Sequence, residues 1–180
     1  MPEFANDGGP LVALAAEDAA MWLGADGSSE SAAARSDYER ACAAEYPAGV
    51  MPVANGTAVI LGAQEHVAAA WWQRSSAGGV FLVGCTFADV GADQDLARML
   101  DDGSITAWAP IGVMTVRSGK VLLFHAAGTV GDLHIDPGRE PAVIGDALSV
   151  VLAPGEYELS AREVSIPDRA LYSAVRWARR

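Results

Sequence analysis

The chain has 180 residues, 51% of them hydrophobic, and its 23 acidic and 12 basic side chains leave a net charge of −11. That length suits one domain, residues 1–180, whose core needs neither disulfides nor metal. The acidic balance argues against nucleic-acid and membrane partners and favours a basic one, and the apolar runs fall short of the roughly 18–20 residues a membrane helix needs.

At the N-terminus, "PLVALAA" is apolar enough for a signal-peptide core, but Glu3 and Asp7 precede it and Glu17 and Asp18 follow. A secretory leader carries basic residues there, so a cytoplasmic location with reduced thiols is expected. "GGPLVALA" reads as a strand launched from a glycine turn, and Met21-Trp22-Leu23 as a second short apolar element. Residues 24–36 are small and polar and read as a loop.

Ser36 followed three residues later by Glu39 is a capping box, and Asp37 and Glu39 complement the helix dipole. A short helix is predicted over about 37–46, with Tyr38, Ala41 and Cys42 on one buried face and Pro47 and Gly49 beyond its end. "GVMPVA" and "TAVILG" then flank Asn55-Gly56, a strong hairpin signal. "HVAAAWWQRS" and "VFLVGCTF" predict a second hairpin across Gly78-Gly79. Neighbouring strand residues point to opposite faces, so one of Trp71 and Trp72 is a candidate interface anchor unless both faces of the sheet are covered.

A second helix is predicted over about 91–102, with Leu96, Met99 and Leu100 as its apolar stripe and Gly103 as its stop. Asp89, Asp93, Asp95, Asp101 and Asp102 crowd this stretch beside Arg98. Asp101 and Asp102 stand at the negative end of the helix dipole. A basic partner, rather than stability, is expected to explain them. The remainder alternates in short apolar runs, with Ser118-Gly119 and Pro154-Gly155 placed as hairpin turns. In "EYELSA", Tyr157, Leu159 and Ala161 face one way and Glu156, Glu158 and Ser160 the other. The fold class is therefore α+β and mostly β, with antiparallel sheets of short hairpin-connected strands and two short helices.

Catalytic chemistry finds little support. The chain carries no G-x-S-x-G elbow, H-E-x-x-H helix, phosphate-binding glycine loop or C-x-x-C pair. Cys42 and Cys85 fit no metal pattern, and Cys85, in an apolar strand, reads as an inert thiol. No catalytic residue, metal or cofactor is expected. The alternative is a small β-rich enzyme or ligand-binding protein using His125, His134 and Asp136 as a polar site.

The order of certain strings is distinctive. Gly8-Gly9-Pro10-Leu11-Val12, then Trp22, then Asp37-Tyr38-Glu39-Arg40-Ala41-Cys42 resembles immunity protein family 21 of bacterial polymorphic toxin systems. The likeness continues through Gly49-Val50, "TAVILG", Trp108, "VLLFHAAG" and "VVLAPGEYELSA". Gly84-Cys85 stands where the family tends to carry Arg-Trp, and His125 where an aspartate is expected. The resemblance implies a small, cytosolic, mostly β protein that binds and neutralises a cognate protein toxin and catalyses nothing. Its motif residues are expected to be structural.

Overall fold

Alternating apolar strands must bury one face each, and two sheets packed together are the simplest way to do so. The computed structural model describes residues 4–6, 8–30, 35–64, 66–76, 78–129, 131, 143–144 and 147–180. Its elements in chain order are β1 (Phe4–Ala5), β2 (Leu11–Ala15), α1 (Ala16–Ala19), α2 (Asp37–Cys42), β3 (Ala48–Val53), β4 (Gly56–Leu61), β5 (Ala69–Arg74), β6 (Val80–Ala88), α3 (Ala92–Asp101), β7 (Ala109–Val116), β8 (Lys120–His125), β9 (Val143–Ile144), β10 (Ala147–Val151), β11 (Gly155–Ile166) and β12 (Ala170–Arg179). They build two six-stranded sheets. The first runs β1-β5-β6-β12-β11-β7 and the second β3-β4-β2-β8-β10-β9. Every ladder is antiparallel.

The sheets face each other across one core. Leu11, Ala13, Val59, Leu61 and Leu123 of the second sheet meet Trp72, Leu82, Met114, Leu159 and Trp177 of the first. Each outer face carries apolar residues as well. On the second sheet, Val12, Leu14, Ile60, Leu122 and Phe124 are covered by Trp22, Tyr38 and Ala41. On the first, Trp71, Phe81, Val83, Cys85 and Tyr172 lie under Ala92, Leu96 and Leu100 of α3. The order is helix, sheet, sheet, helix, which explains why β2 is buried at every position.

Both outer faces being covered corrects the expectation for the tryptophan pair. Trp71 is 6% and Trp72 9% exposed, one beneath α3 and the other in the central core. Neither stands free as an anchor. The predicted hairpins β3–β4 and β5–β6 are present. In the first, the turn lies one residue earlier than expected. Val53 pairs with Gly56, and Ala54 takes the positive φ of 48°.

Ser118-Gly119 and Pro154-Gly155 are not hairpin turns. Each joins a strand of one sheet to a strand of the other, β7 to β8 and β10 to β11. The Leu152 N–H donates to the Gly119 carbonyl at 2.9 Å, tying the two crossings together. Alternation around a turn is the same whether the chain folds back or crosses over, so only the packing partner distinguishes them. Met21-Trp22-Leu23 forms a turn after α1, a helix that the sequence pattern did not predict. The helix over Ala92–Asp101 matches its expected span, while α2 ends at Cys42 rather than near 46.

Candidate functional site

The N-terminal glycines, Trp22 and the Asp37–Cys42 string are separated in sequence but meet on the outer side of the second sheet. The capping box forms as expected. Ser36 Oγ accepts from the Glu39 N–H at 3.2 Å, and Glu39 Oε2 accepts from the Ser36 N–H at 2.9 Å. Asp37, the first helical residue, is fully buried. A carboxylate taken out of water must be paired and hydrogen-bonded. Its oxygens accept from the N–H groups of Leu23 and Ser29, the Ser29 hydroxyl and the Arg40 guanidinium, at 2.9–3.0 Å. Arg40 also reaches the Pro52 carbonyl at 2.9 Å and Glu30 at 3.3 Å. Aspartate and arginine at i and i+3 thus clamp the loop before the helix and the β3 edge after it.

The rest of the motif closes around β8. Trp22 Nε1 donates to the Ala126 carbonyl at 2.9 Å, and the Ala126 N–H donates to the Pro10 carbonyl at 3.0 Å. His125 Nε2 donates to the Gly8 carbonyl while its Nδ1 accepts from the Ala127 N–H. Tyr38 stacks on the imidazole with ring centroids 6.4 Å apart. A Cβ on Gly9 would lie 3.2 Å from both the His125 ring and the Tyr38 hydroxyl, so glycine is needed for this approach. The hydrogen bond to Cys42 pushes the Tyr38 phenol above its ordinary pKa.

Two expectations change here. Cys42 is exposed rather than buried, because the helix rests on Asp37 and Ala41. Both nitrogens of His125 are engaged with backbone, leaving neither for a metal, and His134 and Asp136 lie outside the described residues. Gly24 was not singled out by the sequence. It sits at φ 56° with the carbonyls of Ala127 and Gly128 against it, where any Cβ would collide. Buried Asn6 was missed too. Its amide donates to the carbonyls of Gly9 and Val67 at 3.0 and 2.8 Å.

The acidic stretch occupies the opposite outer face, over the first sheet. Ala92, Leu96 and Leu100 are buried, with Met99 half-buried beside them. Asp93 accepts from the Tyr172 hydroxyl at 2.7 Å. Burial, together with that bond, pushes the phenol far above its ordinary pKa. Asp95 pairs with Arg169 at 2.7 Å and Arg98 at 3.2 Å, and the Arg169 bond holds its carboxyl below the usual range. Asp101 accepts from the Ser76 N–H and Asp102 from the Ser104 N–H, each at 2.8 Å. The expectation that stability gives Asp101 and Asp102 no role is therefore corrected. They hold neighbouring loops. Asp89 is exposed, with no side-chain partner among the described residues.

The chain matches the family model described as Immunity protein 21 over residues 4–170. It belongs to that family. No curated protein and no solved structure matches it. Membership makes it a non-catalytic immunity protein of polymorphic toxin systems, with a general role in binding and neutralising a cognate toxin. Among the described residues no group of three or more His, Cys, Asp or Glu could hold a metal, and no helix is long and apolar enough to cross a membrane. In this immunity protein the Asp37–Arg40 contacts and the Trp22 bond to Ala126 hold the loop and α2 on the second sheet. Cys85 is buried under α3, as its apolar strand suggested.

Proposed function

We propose that this immunity protein works in the cytoplasm of the producing cell and neutralises a basic toxin, a nuclease by best fit, by covering its cationic cleft. The observation that carries this reading is the charge of −11, with Asp89, Asp93, Asp95, Asp101 and Asp102 concentrated in one stretch beside Arg98. A cleft that binds nucleic acid is lined with cationic groups, and carboxylates can occupy the places of phosphates. Such inhibition asks for no catalytic group on the inhibitor. Trp71 and Trp72 contribute from within, as the floor beneath α3 and as core.

Exposed charges are screened beyond about 8–10 Å at physiological ionic strength, so association should slow as salt rises. Co-expression with the toxin encoded beside its gene tests the reading directly. Wild-type protein should restore growth. A culture that still dies rejects neutralisation of that toxin, and an association rate indifferent to salt rejects the basic-toxin part.

A further inference from the structure

β6 meets β12 in a regular ladder until a bulge between Leu171 and Tyr172 shifts the register, so that Cys85 opposes Tyr172 but Phe87 opposes Leu171. A bulge re-aims the side chains that follow it. Phe87 consequently leaves the Phe81, Val83, Cys85 row that α3 covers and is 53% exposed. Three residues on, Val90 is fully exposed. It occupies the first corner of a turn closed by the Ala92 N–H on the Asp89 carbonyl at 3.0 Å, with Gly91 at φ 87°, ψ −7°. With Val90 at negative φ, those angles define a type II turn and explain the glycine. They do not explain valine at a corner where it packs against nothing.

The turn is also held from the side. The Asp89 N–H donates to the Arg169 carbonyl at 2.8 Å, which joins it to the β11–β12 hairpin tip, where Asp168 has φ 57°. Asp93 and Asp95 are occupied by Tyr172 and Arg169. The carboxylates of Asp89 and Asp168 are exposed and have no side-chain partner among the described residues. Two large apolar side chains are thus presented on a hydrogen-bonded, preorganised tip, flanked by two free negative charges.

We propose that this tip, Phe87 and Val90 between Asp89 and Asp168, is the anchor by which the immunity protein docks on its toxin, and that it fits an apolar pocket rimmed by Lys or Arg. Apolar anchors that are fully desolvated on binding dominate interface energetics, and preorganisation lowers the entropic cost of ordering them. The flanking charges select a basic rim and steer the encounter. The proposal rests on the toxin-binding reading and adds the place and chemistry of contact.

The test uses the purified full chain and a catalytically inactive form of the toxin encoded beside its gene. The Phe87→Ser/Val90→Ser variant should lose at least tenfold in affinity, mostly through faster dissociation, with an unchanged melting temperature. Asp89→Lys/Asp168→Lys should slow association several-fold at low salt, with the gap closing at high salt. Met21→Ser/Leu23→Ser, on exposed residues of the other face, should bind as wild type. Wild-type affinity in Phe87→Ser/Val90→Ser overturns the proposal, as does loss confined to the Met21/Leu23 variant. A dimer of the free protein that Phe87→Ser/Val90→Ser dissolves would assign the tip to a second copy and also overturn it. A wild-type chain that fails to bind the toxin at any salt instead rejects the underlying toxin reading, and the proposal with it.

Discussion

The two outer faces of the sandwich are closed by helices that hold on in different ways. Over the first sheet, α3 buries Ala92, Leu96 and Leu100 at i, i+4 and i+8 and keeps its carboxylates at the rim. Over the second, α2 is only six residues long and buries an aspartate and an alanine. A helix that short is marginal by itself and has too little apolar surface to dock by burial alone. The Asp37 clamp replaces that missing area. Apolar attachment is non-directional and tolerates sliding, whereas the clamp fixes one path for the loop around Leu23 and Ser29. Asp37 and Arg40 lie where geometry, not area, is decisive.

That contrast is broken most severely at Asp37. Asp37→Ala leaves the Leu23 and Ser29 N–H groups without their acceptor and removes one of Arg40's partners, and breaking a buried pair costs about 3–5 kcal/mol. Denaturant unfolding checks this, and a loss below about 1 kcal/mol would remove the clamp from the account. On the other face Leu96→Ala should cost about 3 kcal/mol through lost burial and a residual cavity. The same titration should show it, without the change in loop protection at Leu23 and Ser29 that hydrogen exchange reveals for Asp37→Ala.

Ser36→Ala removes half of the capping box and should lower stability by about 0.5–2 kcal/mol. If Glu39→Ala is already present, Ser36→Ala should cost less than it does alone, because the two side chains satisfy each other's backbone groups. Full additivity in that cycle would deny the reciprocal cap.

The α3 face should also respond to pH at both ends. Asp95 has a lowered folded pKa, so its contribution is present above the ordinary Asp value of about 3.9 and is lost as pH falls through the folded value. Tyr172 has a raised one. Its contribution is complete below about pH 10 and is lost as pH rises beyond that. Tyr172→Phe should cost about 0.5–1.5 kcal/mol at neutral pH for the lost bond to Asp93 and should soften the alkaline decline. An identical alkaline limb in the variant would show that another group sets it.

The smallest effect is expected at Cys42. It is exposed, so Cys42→Ala should change stability by no more than about 0.5 kcal/mol. A large loss would mean that the thiol's contact with Tyr38 holds the ring against His125.

Local signals were legible where neighbours in sequence decide the outcome. Ser36 and Glu39 satisfy each other's backbone within one turn, Leu96 and Leu100 share a stripe, and Tyr157, Leu159 and Ala161 alternate inward whatever lies opposite. The fold class and the two main helices followed from such patterns. The family resemblance rested on strings short enough to be read directly. What the sequence could not supply was the partner of each pattern. Ser118-Gly119 and Pro154-Gly155 look like hairpin turns because a crossing between sheets needs the same residues. Trp71 and Trp72 are both buried because a helix covers the face that a lone sheet would leave wet. Asp101 and Asp102 work against the helix dipole, yet they hold the N–H groups of Ser76 and Ser104, and Ser76 is distant in sequence from Asp101. Phe87 would belong to the covered row by alternation and is exposed by a bulge that exists only in the pairing with β12. Propensity and periodicity act over a few residues and were set by the sequence alone. Burial, crossing and register depend on which distant strand lies alongside, and only the tertiary structure decided them.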